Sequence, residues 1–298
     1  VGIEGPVQGN AVANAGVQRR VDRAAHEIAH QAAQPELRIR ARQQGMGEVI
    51  HEGRGRMAGF TLSCATMKPE LSQNPPESFP REPTSFLLPG PAGALEVSCS
   101  PAEADADDAR HGIAVICHPH PLHGGTMHNK VVTIIERSLR ELGLDTVRFN
   151  FRGIGKSEGA FDEGIGESDD LAAIVAWARK VRPGVSLWLA GFSFGSYVVL
   201  RNARRLEADA LITVAPPVGR WDFDTIELPD CPWLVVQGEE DEVVDPQLVF
   251  DWVENLDVSP QLVRMPETSH FFHRRLMDLR GAIKNAMRPH LPGARSPA

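Results

Sequence analysis

The chain has 298 residues, 42% of them hydrophobic and 23% charged, which suits a soluble globular protein built as one large α/β domain or two smaller ones. Its net charge of −8 argues against nucleic acid as the main partner, because phosphate-binding surfaces carry a basic excess. A bilayer-spanning apolar run and a secretory signal are both missing from the pattern, and Cys64, Cys99, Cys117 and Cys231 form no C-x-x-C pair. The expectation is a cytoplasmic protein with reduced thiols and no membrane partner.

Residues 1–66 carry Arg but no Lys and few aromatics, and read as an N-terminal extension, poorly ordered or holding a short helix. "VQRRVDRAAHEIAHQAAQPEL" sets Val17, Val21, Ala24, Ile28 and Ala32 on one helical face before Pro35. Met67 opens a Pro-rich lead-in over 67–83. Two readings stay open: Met67 starts the protein and the earlier residues are an in-frame extension, or they form a tail or small helical appendage. A catalytic domain is expected over 84–292, with a tail at 293–298.

Within that domain, "SFLLPG" and "ALEVSCS" read as an antiparallel hairpin. "GIAVICH" (112–118) is a short apolar run closed by turn residues, as a buried parallel strand would be. "NKVVTIIERSLRELG" has helical spacing and a Gly stop. "DTVRFN" (145–150) is the next strand, and "SDDLAAIVAWARKVRPG" (168–184) the next helix, with Ser168 as its expected cap. Strands follow at "VSLWLAG", "ADALITVAPP", "CPWLVVQG" and "PQLVRMP", separated by helices at "GSYVVLRNARRLE" and "DPQLVFDWVENLD" and closed by "RRLMDLRGAIKNAMRPHL". Such β-α alternation predicts an α/β fold: a mostly parallel sheet with helices on both faces.

"LAGFSFGSY" contains Gly191-Phe192-Ser193-Phe194-Gly195, a G-x-S-x-G motif between a predicted strand and a predicted helix. That turn lifts a serine hydroxyl above the sheet and points the Phe194 amide and the helix N-terminus at a developing oxyanion. An acid and a histidine should follow, each after a later strand. Asp241 follows "WLVVQG", and His270 follows "QLVRMP". Glu239, Glu240, Glu242 and Asp245 compete with Asp241, and Asp222 and Asp224 are weaker candidates. His273 competes with His270 but is expected on the closing helix.

From about residue 84 the chain resembles the α/β-hydrolase superfamily, and within it the small, capless, dienelactone-hydrolase-like bacterial serine hydrolases and esterases. The resemblance rests on "CHPHPLHGGTMHNKVV", "RFNFRGIGKSEGAFDEGIGE", "GFSFGS", "GEEDEVVD" and "TSHFFHRRL", and covers about three quarters of the chain. It implies the α/β-hydrolase fold without a sizeable cap, a Ser-His-Asp mechanism, and a place for the R-G-x-G-x-S turn near the floor of the active site. Residues 1–66 match nothing in that pattern.

"CHPHPLHGG" also suggests metal, since His118, His120 and His123 follow an H-x-H-x-x-H spacing. Leu122 stands where metallo-hydrolases place an Asp, and Pro119 and Pro121 force an extended backbone. No metal and no cofactor are expected. The loop instead supplies the second oxyanion donor. Pro119 has no N–H, so the amide of His120 is the candidate beside that of Phe194. His118 is expected to be buried and structural. Gly155-Lys156-Ser157 is not a phosphate-binding loop, because position 150 is Asn and position 158 is Glu.

Only "PVGRWDFDTIELPD" separates the strand ending near Pro216 from the one starting at Cys231, too little for a helical lid. Leu122, His123, Trp221 and Phe271 are candidate substrate-lining residues. The expected function is hydrolysis of small acyl esters, with a small-molecule ester as partner. A thioesterase, peptidase or acyltransferase on the same triad is the alternative, as is a non-catalytic binding protein of the same fold. Oligomeric state stays open, a homodimer included.

Overall fold

Short, uninterrupted apolar runs make the middle of the sheet. In the computed structural model, which describes residues 71–72, 74–103 and 109–294, strands β3 (Gly112–Cys117), β5 (Ser186–Phe192) and β7 (Trp233–Gly238) are buried almost throughout. Strands covered on both faces need apolar residues on both, so they do not alternate. Strands β1 (Thr84–Gly90), β2 (Gly93–Ser100), β4 (Asp145–Phe149), β6 (Ala210–Val214) and β8 (Gln261–Met265) complete eight, in the order β1-β2-β4-β3-β5-β6-β7-β8. β2 pairs antiparallel with β1 and with β4, and every other pairing is parallel.

Among the described residues five α-helices cover the sheet: α1 (Lys130–Glu141), α2 (Ile165–Val181), α3 (Phe194–Ala203), α4 (Pro246–Glu254) and α5 (Leu276–Met287). Their apolar residues fall into two clusters. Leu171, Ile174, Val198, Val199 and Val249 from α2, α3 and α4 join Val115, Leu189 and Val235 on one face. Val131, Ile135, Leu279 and Ile283 from α1 and α5 join Ile116, Trp188 and Leu234 on the other. This is the doubly covered, mostly parallel sheet that the alternation predicts.

Two expectations change. α2 starts at Ile165, not at Ser168, because Gly164 adopts a left-handed φ of 87° that closes the preceding turn. The Glu167 carboxylate then accepts from the amides of Asp162 and Gly164. Ser168 is buried one turn inside, donating to the Gly164 carbonyl and accepting from Asn202. His273 lies in a turn ahead of α5, since positive φ at Phe272 (53°) and Arg274 (62°) cannot propagate an α-helix.

Residues 1–66, with the predicted helix ending at Pro35, lie outside the described residues. Part of the Pro-rich lead-in is described and is bound to the sheet unit. The Trp177 indole N–H donates to the Pro76 carbonyl at 3.2 Å, and Phe79 packs on the Trp177 ring.

Candidate active site

The strand order fixes where a site can form. From β3 the chain moves one way to β4, then crosses back to β5 on the other side of β3. Loops leaving β3 and β5 therefore diverge at their C-terminal ends, and open α/β sheets bind ligands in the crevice this leaves.

Ser193 is in the turn from β5 to α3, with φ 53° and ψ −121°. A non-glycine residue holds such a conformation only where its surroundings over-determine it. Here the Ser193 amide donates to the Val214 carbonyl, and the buried Ser196 hydroxyl bridges Gly191 and Val214. Both motif glycines are steric requirements. A Cβ on Gly191 would lie 2.2 Å from the Gly195 carbonyl oxygen, and one on Gly195 would lie 2.4 Å from that of Cys117. The second contact presses the start of α3 against the end of β3.

His270 and Asp241 arrive from the loops after β8 and β7. His270 Nδ1 donates to Asp241 Oδ2 at 2.7 Å, and Ser193 Oγ donates to His270 Nε2 at 3.1 Å. The carboxylate only accepts, so the proton sits on Nδ1 and the Nε2 lone pair faces the serine. Asp241 Oδ1 accepts from the amides of Val243 and Val244 at 2.9 and 2.7 Å. Burial works against ionisation of Asp241, yet the His270 hydrogen bond and charge, with those two amides, hold its carboxyl below the usual range. A Cβ on Gly238, at the end of β7, would lie 2.3 Å from the Thr268 carbonyl oxygen. That glycine lets the two loops meet.

The competing acids have other work. Glu239 pairs with Arg264, Asp245 caps α4 through the Gln247 amide, and Asp222 accepts from the Thr225 amide. Glu242 accepts the amide of His270 at 3.0 Å. His273 is exposed.

The histidine loop does not converge on a metal. Among the described residues no group of three or more His, Cys, Asp or Glu side chains is arranged to hold one. His118 is fully buried, with Nδ1 donating to the Pro119 carbonyl at 2.6 Å and Nε2 accepting the Phe151 amide at 3.0 Å. Burial lowers its pKa from 6.5 to about 4. His120 precedes a single 3-10 turn, Pro121–His123, and its Nδ1 accepts the Leu122 amide. Burial, then the neighbouring His123, lowers the His120 pKa to about 4 as well. The two rings stack at 4.4 Å.

The amides of His120 and Phe194 donate to no protein acceptor among the described residues. Their rings lie 5.2 Å apart. Trp221 packs 5.1 Å from Phe194 and 6.0 Å from His120, and Phe271 meets His270 edge-on at 5.1 Å. Leu122 is 68% exposed, and His123 is exposed beside it. Two neighbours of the site escaped sequence reasoning. Phe161 packs on His120 and Phe194 at 4.8 and 5.7 Å, and its signal lay in "SEGAFDEG", downstream of the R-G-x-G-x-S turn. That turn does approach the site, since Phe151 packs on both His118 and Phe194. The second is Gln237, which touches Asp241.

The chain is similar to several known proteins. Residues 114–230 match the family model described as serine aminopeptidase, S33. A solved Xanthomonas campestris structure, described as an α/β serine hydrolase without lid, is 54% identical with a TM-score of 0.71, covering 74% of this chain and all of that one. An α/β serine hydrolase homologue from Coxiella burnetii is 44% identical with a TM-score of 0.67, covering 70% of this chain and 99% of that one. An uncharacterized protein of Rickettsia prowazekii is 32% identical over 206 residues, 66% of this chain and 85% of the relative.

Proposed function

Since the chain belongs to the α/β-hydrolase superfamily as one of its serine hydrolases, we propose that it is a carboxylesterase for short-chain acyl esters, using Ser193, His270 and Asp241. The observation that carries the reading is the continuous hydrogen-bonded chain from Asp241 through His270 to Ser193, at 2.7 and 3.1 Å.

His270 Nε2 takes the proton from Ser193 Oγ as the oxygen attacks the ester carbonyl carbon. Asp241 holds the reactive tautomer and stabilises the imidazolium that forms. Charge develops on the former carbonyl oxygen, which the Phe194 and His120 amides receive as oxyanion donors. The alcohol leaves with the proton from His270. Water, deprotonated by the same Nε2, then attacks the acyl-serine and releases the acid.

Two features support small acyl groups. Residues 215–232, between β6 and β7, contain no helix that could cap the site. Aromatic rings pack around the His120 loop and His270: Phe161 on His120, Trp221 on Phe194 and Phe271 on His270. We assign these, with His123 and the exposed Leu122, to the substrate-facing rim.

The test is Ser193→Ala on p-nitrophenyl esters of increasing chain length, with and without EDTA, beside fluorophosphonate labelling. The expected results are labelling of Ser193, a loss of roughly 10⁴-fold or more on substitution, no effect of EDTA, and the highest kcat/KM on short chains. Activity that survives Ser193→Ala but disappears with EDTA would overturn the mechanism. The serine aminopeptidase description of the matching family model favours a second reading, a peptidase on the same triad. Faster cleavage of amino-acyl p-nitroanilides than of esters would select it.

A further inference from the structure

Gln237 is the next-to-last residue of β7, on the strand face shared with Trp233 and Val235. Both neighbours belong to the apolar cluster under α2, α3 and α4, and Gln237 itself is completely buried. Its Nε2 donates to Asp241 Oδ2 at 3.0 Å and to the Gly238 carbonyl at 3.1 Å. Its Oε1 is buried and has no hydrogen-bond partner among the described residues.

A buried acceptor left unpaired destabilises the fold, and methionine or leucine would fill much the same volume without that penalty. Rotating the amide does not relieve it, because Oε1 would then face the Asp241 carboxylate. The amide therefore keeps an arrangement that disfavours folding while serving one external group, the oxygen that also accepts from His270.

We infer that Gln237 is a positioning residue for the reaction, acting on His270 through Asp241. This rests on the triad reading above. The amides of Val243 and Val244 hold Asp241 Oδ1, whereas among the described residues Oδ2 has only His270 Nδ1 and Gln237 Nε2. The Gln237 N–H gives Oδ2 a second donor beside the imidazole N–H. It stops the carboxylate rotating about its Cβ–Cγ bond and so keeps Nε2 in line with Ser193. The titratable groups around this contact are Asp241, His270 and Glu242, whose carboxylate holds the His270 amide. Glu239 is paired with Arg264 on the neighbouring strand.

The test uses the full chain with Gln237→Met and Gln237→Glu, reading kcat, KM and denaturant stability on a short p-nitrophenyl ester over a range of pH. Gln237→Met removes the donor and the orphan acceptor together. It should be at least as stable as the parent and keep KM within about twofold, while kcat falls roughly tenfold, the scale of losing an outer partner of a catalytic group. Gln237→Glu keeps the volume, but its carboxyl can donate to Asp241 only when protonated, because two like charges in contact disfavour each other. The ratio of its kcat to that of the parent should therefore be highest at the acid end and fall as pH rises.

A packing role alone predicts the reverse: lower stability and unchanged kcat for Gln237→Met, and a ratio independent of pH for Gln237→Glu. Either result would overturn the inference, and if Gln237→Met does not fold the ratio decides by itself. Ser193→Ala separates the two claims. If it remains active, the triad reading falls. If it is inactive while Gln237→Met keeps the kcat of the parent, only the role of Gln237 falls.

Discussion

At the scale of single residues, the strained backbone of Ser193 is held in place by contacts that tolerate no extra atom. Gly195 is one such case, since its missing Cβ leaves room for the Cys117 carbonyl. Gly195→Ala should force α3 away from β3, lowering stability by about 1–3 kcal/mol. Displacing the Phe194 amide should also reduce kcat by roughly 10²-fold while Ser193 remains present; denaturant unfolding and steady-state kinetics check the two effects. His118 makes a different prediction. Its folded pKa of about 4 lies below the ordinary 6.5, so the folded state favours the neutral ring. That stability is complete above pH 6.5 and is lost as pH falls toward 4, amounting to roughly 3 kcal/mol. Unfolding measured across this window should show the slope in the parent and a shallower one in His118→Gln.

At the scale of elements, sequence patterning located the strands and α-helices of the described residues but misjudged some of their ends. The helix at Ser168 begins three residues earlier because Gly164 and Glu167 close it, a capping arrangement hidden behind the more familiar Ser-Asp-Asp. The segment before it is anchored by Arg152, whose guanidinium and amide both donate to the fully buried Asp170. Gly166 makes room for that guanidinium, which a Cβ there would approach to 2.0 Å. Asp170→Asn would leave the half-buried Arg152 cation without the carboxylate it is bonded to. The expected loss is about 3–5 kcal/mol in unfolding free energy, with a rise in KM because the same segment carries Phe161 toward the site. Urea titration and KM for a short ester test this pair of effects.

At the scale of the whole molecule, the sheet is a rigid plate that brings three loops to one edge. Ser193, Asp241 and His270 come from the ends of β5, β7 and β8, and 77 residues separate the serine from the histidine. No helix among the described residues is long and apolar enough to cross a membrane, and none between β6 and β7 covers the serine. A site with no capping helix among the described residues should show ordinary saturation, with no jump in rate as an ester passes its solubility limit. Rates measured on either side of that limit, with tributyrin for example, will show whether an interface activates the enzyme.

The sequence by itself determined the alternation of elements, the G-x-S-x-G turn, and the order serine, acid, histidine. These are local: hydrophobic period, glycine placement and strand ends are written in consecutive residues. The tertiary structure alone decided which acid in "EEDEVVD" meets His270, and that Glu242 holds the backbone of that histidine instead. It also decided that His118 bonds into the core while His120 and His123 stack on each other, and that Phe161 and Gln237 stand beside the site. Each of these depends on which strands are neighbours and on the steric fit between loops far apart in the chain, and no local pattern of residues encodes that.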